Sequence, residues 1–368
     1  MSHPVKEKSA PPGTETRAES APGSAGRQAA ARIAVDATGG DAPIRERISG
    51  AVAAARAYAD SRILLCGPTD ELHHMLEELG GAPGNLQVVD APERIRMHES
   101  PVRALREKKR SSIAVGIDLV SKGEADAFVS AGNTGAVAAA STLKLGRLEG
   151  VQRPGIAAAM QLIDHVAVAI DVGANVDSKP GHLLQYGIMA RVFAEGILGI
   201  DKPTVGLLNV GAEEAKGNEL TKKAFDLLSK ADLNFVGNVE PEVFFQQGCD
   251  ILVCDGFVGN VLLKVGESLV MKLIDWLREQ VGDSLRYKAG YLLCKDLFGH
   301  LKHCADYSEY GGAPLLGVDG ITIITHGTSD SRAIQNAVRE ARSFVEHHVN
   351  QHIEEAILRD ADRRDAGA

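Results

Sequence analysis

Six polar clusters stand directly after apolar runs in this chain: Asp36 to Asp41, Ser130 to Gly135, Asp171 to Lys179, Asn209 to Asn218, Asp255 to Asn260 and His326 to Ser329. They are rich in Gly, Asn, Ser, Thr, Asp and Lys. Glycine turns expose backbone N–H groups, helix N-termini add positive potential and a lysine neutralises charge, so this composition suits capture of a small oxyanion. Ser130-Ala131-Gly132-Asn133-Thr134-Gly135 reads either as a strand-to-helix turn of that kind or as a tight turn closed by an Asn/Thr cap. Lys216-Gly217-Asn218-Glu219 reads either as an anion site or as a solvated helix start.

The missing motifs narrow the chemistry. There is no G-x-G-x-x-G after a strand and no G-x-x-x-x-G-K-[ST], which removes support for a dinucleotide fingerprint and a Walker-type NTPase. Neither G-x-S-x-G nor H-E-x-x-H occurs, so a serine hydrolase and a zincin also lack support. No cofactor and no metal is expected. The five cysteines, at 66, 249, 254, 294 and 304, are not spaced as a zinc knuckle or a redox pair. With no apolar signal segment near the N-terminus, they read as reduced cytosolic thiols.

The elements that must position these clusters alternate regularly. Ile33 to Asp36, Ile63 to Gly67, Leu86 to Val89, Ala127 to Ser130, Val166 to Asp171, Val205 to Asn209, Asn234 to Gly237, Ile251 to Cys254 and Ile321 to Thr325 are apolar runs that read as buried strands. Helix-sized segments separate them, such as Thr69 to Leu79 and Ser112 to Ser121. Strands alternating with helices imply βαβ units and a mostly parallel sheet with helices on both faces. In such a sheet, loops at the carboxyl ends of strands line the ligand crevice, which is where the polar clusters fall.

The chain has 368 residues and a net charge of −9, which fits a soluble globular protein and disfavours a nucleic-acid binder. Residues 1–31, rich in Ala, Pro, Gly and Ser, read as a disordered extension. Residues 32–349 read as a single large α/β catalytic domain, and 350–368 as a charged C-terminal tail. Within the domain, residues 268–302 form an apolar helix pair interleaved with Arg286, Lys288, Lys295 and Lys302. That pair suits either a core or dimer interface or a tip touching anionic lipid. No window is long and apolar enough to span a bilayer.

Six blocks, DATGGDAP, SAGNTGA, DVGANVDSKPGHLLQYG, GLLNVGAEEAKGNELTKKA, VCDGFVGNVLLK and YGGAPLLGVDG…HGTSD, occur in one order from about Ile33 to Val345. This series resembles the bacterial phosphate acyltransferase family of phospholipid synthesis, PlsX (acyl-ACP:phosphate transacylase). The chain departs from the family's pattern at Thr38, where Met is usual, at Pro241-Glu242-Val243 and at His326-Gly327-Thr328-Ser329.

The resemblance implies transfer of a fatty acyl group from acyl carrier protein to inorganic phosphate, forming acyl phosphate. A membrane glycerol-3-phosphate acyltransferase, PlsY, then uses that product. It implies a fold related to phosphotransacetylase and to isocitrate/isopropylmalate dehydrogenases, a homodimer, a cytoplasmic location and peripheral contact with the inner face of the cell membrane. Phosphate attacking a thioester needs no protein nucleophile, because a thiolate leaves readily. Lys216 is then expected as the phosphate or oxyanion cation and Asn260 as a neutral donor near the reacting carbonyl. Asn133, Thr134 and Asn218 would add hydrogen bonds, Gly39, Gly40 and Asp41 would cradle oxygens, and Lys179 and His182 are second choices. Asp171 and Asp255 are expected to hold donors in place.

The acidic carrier protein would dock on a local basic patch, the densest being Arg103, Arg106, Lys108, Lys109 and Arg110; Lys222, Lys223, Arg286 and Lys288 compete with it. Two rival readings are a non-catalytic phosphate-binding scaffold for lipid-synthesis enzymes and a decarboxylating dehydrogenase on the related fold.

Overall fold

The computed structural model describes residues 30–162, 165–283, 285–293 and 311–366. The N-terminal extension expected over residues 1–31 therefore lies almost wholly outside the described residues, as does the 294–302 end of the expected helix pair.

A single sheet of 11 strands runs through the molecule. The strands are β1 (Arg32–Asp36), β2 (Arg62–Gly67), β3 (Leu86–Asp90), β4 (Ala127–Ser130), β5 (Gly155–Leu162), β6 (His165–Ile170), β7 (Thr204–Leu208), β8 (Asn234–Val239), β9 (Ile251–Val253), β10 (Ala313–Leu316) and β11 (Ile321–Ile324). Their order is β3-β2-β1-β4-β11-β10-β5-β6-β9-β7-β8. Both ends of the sheet are parallel: β3, β2, β1, β4 and β11 run one way, and β6, β9, β7 and β8 run together. Between them β11–β10, β10–β5 and β5–β6 pair antiparallel. Three reversals leave the two parallel groups pointing in opposite directions.

The strands are apolar on both faces because helices cover both. On one face, Ile33, Val35, Ile63 and Leu65 share a core with α1 (Ile44–Ala57), α6 (Pro180–Gly196), α7 (Glu219–Leu228), α11 (Ser331–Glu346) and α12 (Val349–Ala366). On the other, Ala34, Leu64 and Phe128 pack with α3 (Pro101–Glu107), α4 (Ser112–Ser121), α5 (Thr134–Lys144) and the start of α9 (Gly256–Asp283). The remaining helices are α2 (Thr69–Glu78), α8 (Pro241–Phe245) and α10 (Leu285–Leu293).

Two features differ from the sequence-based expectation. The antiparallel strands β5 and β10 are additional to the expected runs. The segment expected as a charged tail over 350–368 is mostly helix α12, whose Val349, Ile353, Ala356 and Ile357 are buried in the core shared with α6. Spacings of three and four residues put these few apolar side chains on one stripe, while the charges occupy the rest of the surface.

Candidate active site

The carboxyl ends of β6, β9 and β7, which are neighbours in the sheet, gather most of the expected site residues. Asp171 follows β6 and is fully buried. Its Oδ1 accepts the N–H groups of Ile156 (3.0 Å), Gly173 (3.0 Å) and Ala174 (2.9 Å), and its Oδ2 accepts that of Asn175 (2.8 Å). Burial pushes the Asp171 carboxyl up, against the downward pull of those four N–H groups. With every oxygen engaged, Asp171 organises the loop and has no lone pair to spare for substrate. Asn175, which the sequence did not single out, ties the same loop outward: its Nδ2 donates to the Pro154 carbonyl (2.6 Å) and the Tyr186 hydroxyl (2.9 Å).

Asn260 stands on the first turns of α9, over Gly173. Asp255 starts that helix by accepting the N–H groups of Phe257 and Val258, each at 3.0 Å. Among the described residues, no hydrogen bond occupies the Asn260 carboxamide, so it remains available to a substrate. Gly173, at φ +143°, lies in a region that L side chains rarely adopt.

Lys216 belongs to the loop between β7 and α7. Asn209 donates to the Lys216 carbonyl (3.2 Å) and Asn238 to the Glu213 carbonyl (2.9 Å), which folds the loop back on the strands. The Lys216 side chain is exposed and has no carboxylate partner among the described residues. Asn218, by contrast, is a helix cap: its Oδ1 accepts the Thr221 N–H at 2.9 Å.

Lys179 and His182 lie at the start of α6. His182 Nδ1 accepts the Lys179 N–H at 3.1 Å, which leaves the ring proton on Nε2. Burial, helped by the charges of Arg153 and Lys179, pushes the imidazole pKa down, so His182 is neutral at physiological pH. Cys254 borders this region, but burial holds it as a thiol well above its ordinary range.

The other parallel group forms a second cluster at the carboxyl ends of β1, β4 and β11. Asp36 is the counterpart of Asp171: Oδ1 accepts the N–H groups of Thr38 and Gly39, each at 2.9 Å, and Oδ2 accepts the Ser130 hydroxyl at 2.7 Å. A Cβ on Gly39 would sit 2.7 Å from the Gly132 backbone, so this close approach requires glycine. Gly40 has φ +87°, and the Asp41 N–H donates to the Gly327 carbonyl at 2.8 Å.

The Asn133 side chain is spent on structure. Its Oδ1 caps α5 through the Ala136 N–H (3.0 Å), and its Nδ2 donates to the Met97 (2.9 Å) and Glu99 (3.1 Å) carbonyls. Thr134 is exposed beside it.

The expected residues thus fall into two sets. Asp171, Lys179, His182, Lys216, Asn218, Asp255 and Asn260 share one edge, while Gly39, Gly40, Asp41, Asn133 and Thr134 share the other. Among the described residues, no hydrogen bond or ion pair joins the two sets. No three His, Cys, Asp or Glu side chains among the described residues are grouped to hold a metal ion.

The fold and the site have relatives. A family model described as fatty acid synthesis protein matches residues 31–352. A phosphate acyltransferase from Desulfitobacterium hafniense (strain DSM 10664 / DCB-2) is 47% identical over 316 residues, covering 86% of this chain and 94% of that protein. One from Brevibacillus brevis is 45% identical over 327 residues, covering 89% and 97%. This chain belongs to the bacterial phosphate acyltransferase (PlsX) family.

Membership in a family of acyltransferases decides against the scaffold and the dehydrogenase readings. Among solved structures, a phosphotransacetylase from Streptococcus pyogenes matches 88% of this chain and 94% of its own, with TM-score 0.55 and 18% identity. EutD phosphotransacetylase from Staphylococcus aureus matches 89% and 94%, with TM-score 0.52 and 14% identity. These likenesses establish a phosphotransacetylase-related fold for the family member described here.

Proposed function

We propose that this acyltransferase moves a long-chain fatty acyl group from the phosphopantetheine thioester of acyl carrier protein to inorganic phosphate. A phosphate oxygen attacks the thioester carbonyl, the C–S bond breaks, and the thiolate leaves and takes up a proton, giving acyl phosphate. What supports this reading is the unspent carboxamide of Asn260, which stands over the loop braced by Asp171, together with the exposed, unpaired Lys216 in a loop at the same edge of the sheet. Asn260 donates to the carbonyl oxygen as it becomes an anion, and Lys216 neutralises phosphate; one such donor is worth about 3–4 kcal/mol of barrier. The buried, protonated state of Cys254 and the capping role of His182 favour direct attack over an acyl-enzyme. On the opposite group of strands the Gly39 and Asp41 N–H groups are already spent on Asp36 and Gly327, which leaves Gly40 and the exposed Thr134 as a secondary anion contact, with Asn133 shaping the turn.

The acidic carrier needs a local basic surface. Within the densest basic run, Arg103 pairs with Glu107 (2.8 Å), Lys108 with Glu99 (2.7 Å) and Arg110 with Asp90 (2.6 Å), which leaves Arg106 and Lys109 for docking. Of the competing cations, Lys223 pairs with Glu219 at 3.4 Å, which leaves Lys222, Arg286 and Lys288. No helix among the described residues is long and apolar enough to cross a membrane. The exposed apolar side chains of α9 and α10 support homodimer formation and peripheral attachment to the inner face of the cell membrane, where a membrane acyltransferase of the PlsY type would take the acyl phosphate.

Purified protein incubated with palmitoyl carrier protein and phosphate should form acyl phosphate by mass spectrometry, with palmitoyl-CoA as the comparison donor. Absence of that product with either donor refutes the reading. Lys216→Ala should lower turnover roughly tenfold to a thousandfold; unchanged kinetics would remove Lys216 from the site.

A further inference from the structure

Between the β5–β6 ribbon and α9 lies a groove of about 180 Å³. Met160, Leu162 and Ala169 form its floor, and Leu262, Leu263 and Val270 of α9 form its wall. Among the described residues, Gln161 and Glu267 are the polar side chains that line it, and the Gln161 amide is turned to the Leu162 and His165 carbonyls. The α9 positions that line it, from Gly259 to Met271, recur every three or four residues and so form one stripe roughly 18 Å long.

Its two ends have opposite characters. At the inner end, Gly259 presses against the Asp171 carbonyl so closely that any Cβ would collide with it, and the next residue is Asn260. At the outer end, Val270 and Met271 are exposed and lead on to exposed Leu273 and Trp276. An open apolar channel of this kind calls for an apolar occupant. Because it starts at the donor assigned to the reacting carbonyl, the occupant must be extended and must carry its reactive group at one end.

We infer that this groove holds the hydrocarbon chain of the acyl substrate, carbonyl toward Asn260 and methyl end toward Met271. The inference rests on the reading that acyl transfer takes place at the Asn260 edge. The stripe's length is comparable to an extended long-chain acyl group, and a lining made mostly of Met, Leu, Val, Ala and Phe side chains suits a hydrocarbon. Gly266 sits midway along the stripe, and a Cβ added there meets nothing within 4 Å, so the groove can be filled at that point without disturbing its neighbours.

The test measures kcat/KM with butyryl, decanoyl and palmitoyl carrier-protein donors. Gly266→Leu should lower the palmitoyl-to-butyryl ratio by about tenfold or more, with Gly266→Ala intermediate. An unchanged ratio overturns the assignment. Should Gly266→Leu fail to fold, a palmitoyl donor with a photoreactive group at its methyl end is cross-linked to the wild-type protein, and the label should map to Val270, Met271 or their neighbours on α9. A label elsewhere overturns the proposal, including one displaced because a second copy of the chain or residues 294–310 cover the groove. Wild-type protein that makes no acyl phosphate from any donor defeats the acyl-transfer reading itself. Acyl phosphate formed with no change in ratio and no label on α9 defeats the groove alone.

Discussion

Asn218 and Asn260 carry the same carboxamide and both stand near the start of a helix on one edge of the sheet, yet among the described residues Asn260 keeps its whole carboxamide free while Asn218 spends its oxygen on its own helix. The Asn218 oxygen is held by the Thr221 N–H. Asn218→Ala should therefore cost about 1 kcal/mol in chemical denaturation, the ordinary price of a lost cap, and leave turnover within about twofold of wild type. Asn260→Ala should leave stability little changed and lower kcat about a hundredfold in the acyl phosphate assay. Residue type marked both positions as donors, because glycine-rich loops after strands are where anions bind. Spacing does not tell whether a side chain is already spent: Asn133 had the right neighbours, and its whole carboxamide is engaged with the 96–99 segment and α5. Asp36 and Asp171 were visible as strand-end carboxylates, while Asn175 became recognisable only through the contacts it makes across the loop.

At the scale of elements, the parallel strands were legible because they are short apolar runs that end in glycine-containing turns. β5 was not, because Gly155-Ile156-Ala157-Ala158-Ala159-Met160 is alanine-rich and carries no strand propensity of its own; its antiparallel register with β6 decides its conformation. β10 is four residues long and contains Pro314, two reasons for it to escape notice. Helix α11 was also unmarked, and it hides a carboxyl: Glu340 is buried on the apolar face of that helix, and its Oε2 has no partner. Burial pushes its pKa well above the ordinary value, so the folded protein keeps a proton that the unfolded chain releases above about 4.3. Stability from this group is complete below that pH and is lost as the pH rises toward the folded pKa. Glu340→Gln should therefore be more stable than wild type at pH 8, with the difference shrinking toward pH 4 in denaturation series across that range.

The whole molecule combines an asymmetric interior with an unfinished exterior. Helices α9 and α10 present Leu269, Leu273, Trp276, Tyr287, Leu292 and Leu293 to solvent, at exposures from 51% to 88%. Side chains of that size in a continuous patch mark a contact surface. If the proposed membrane attachment runs through this patch, replacing Leu292 and Leu293 by Glu should release the protein from anionic vesicles in flotation while activity toward soluble substrates persists; unaffected flotation would remove these residues from the proposed contact. The interior has its own peculiarity, set by the order in which the chain visits the sheet. β11 inserts between β4 and β10, and β10 lies against β5, so strands near residue 320 fill the middle of a sheet whose flanks were encoded much earlier. Until the ribosome has released that stretch, β4 and β5 are open edges with unsatisfied backbone groups, able to recruit a neighbouring nascent chain. A newly made polypeptide of this kind is most exposed to misassembly just before β10 and β11 emerge.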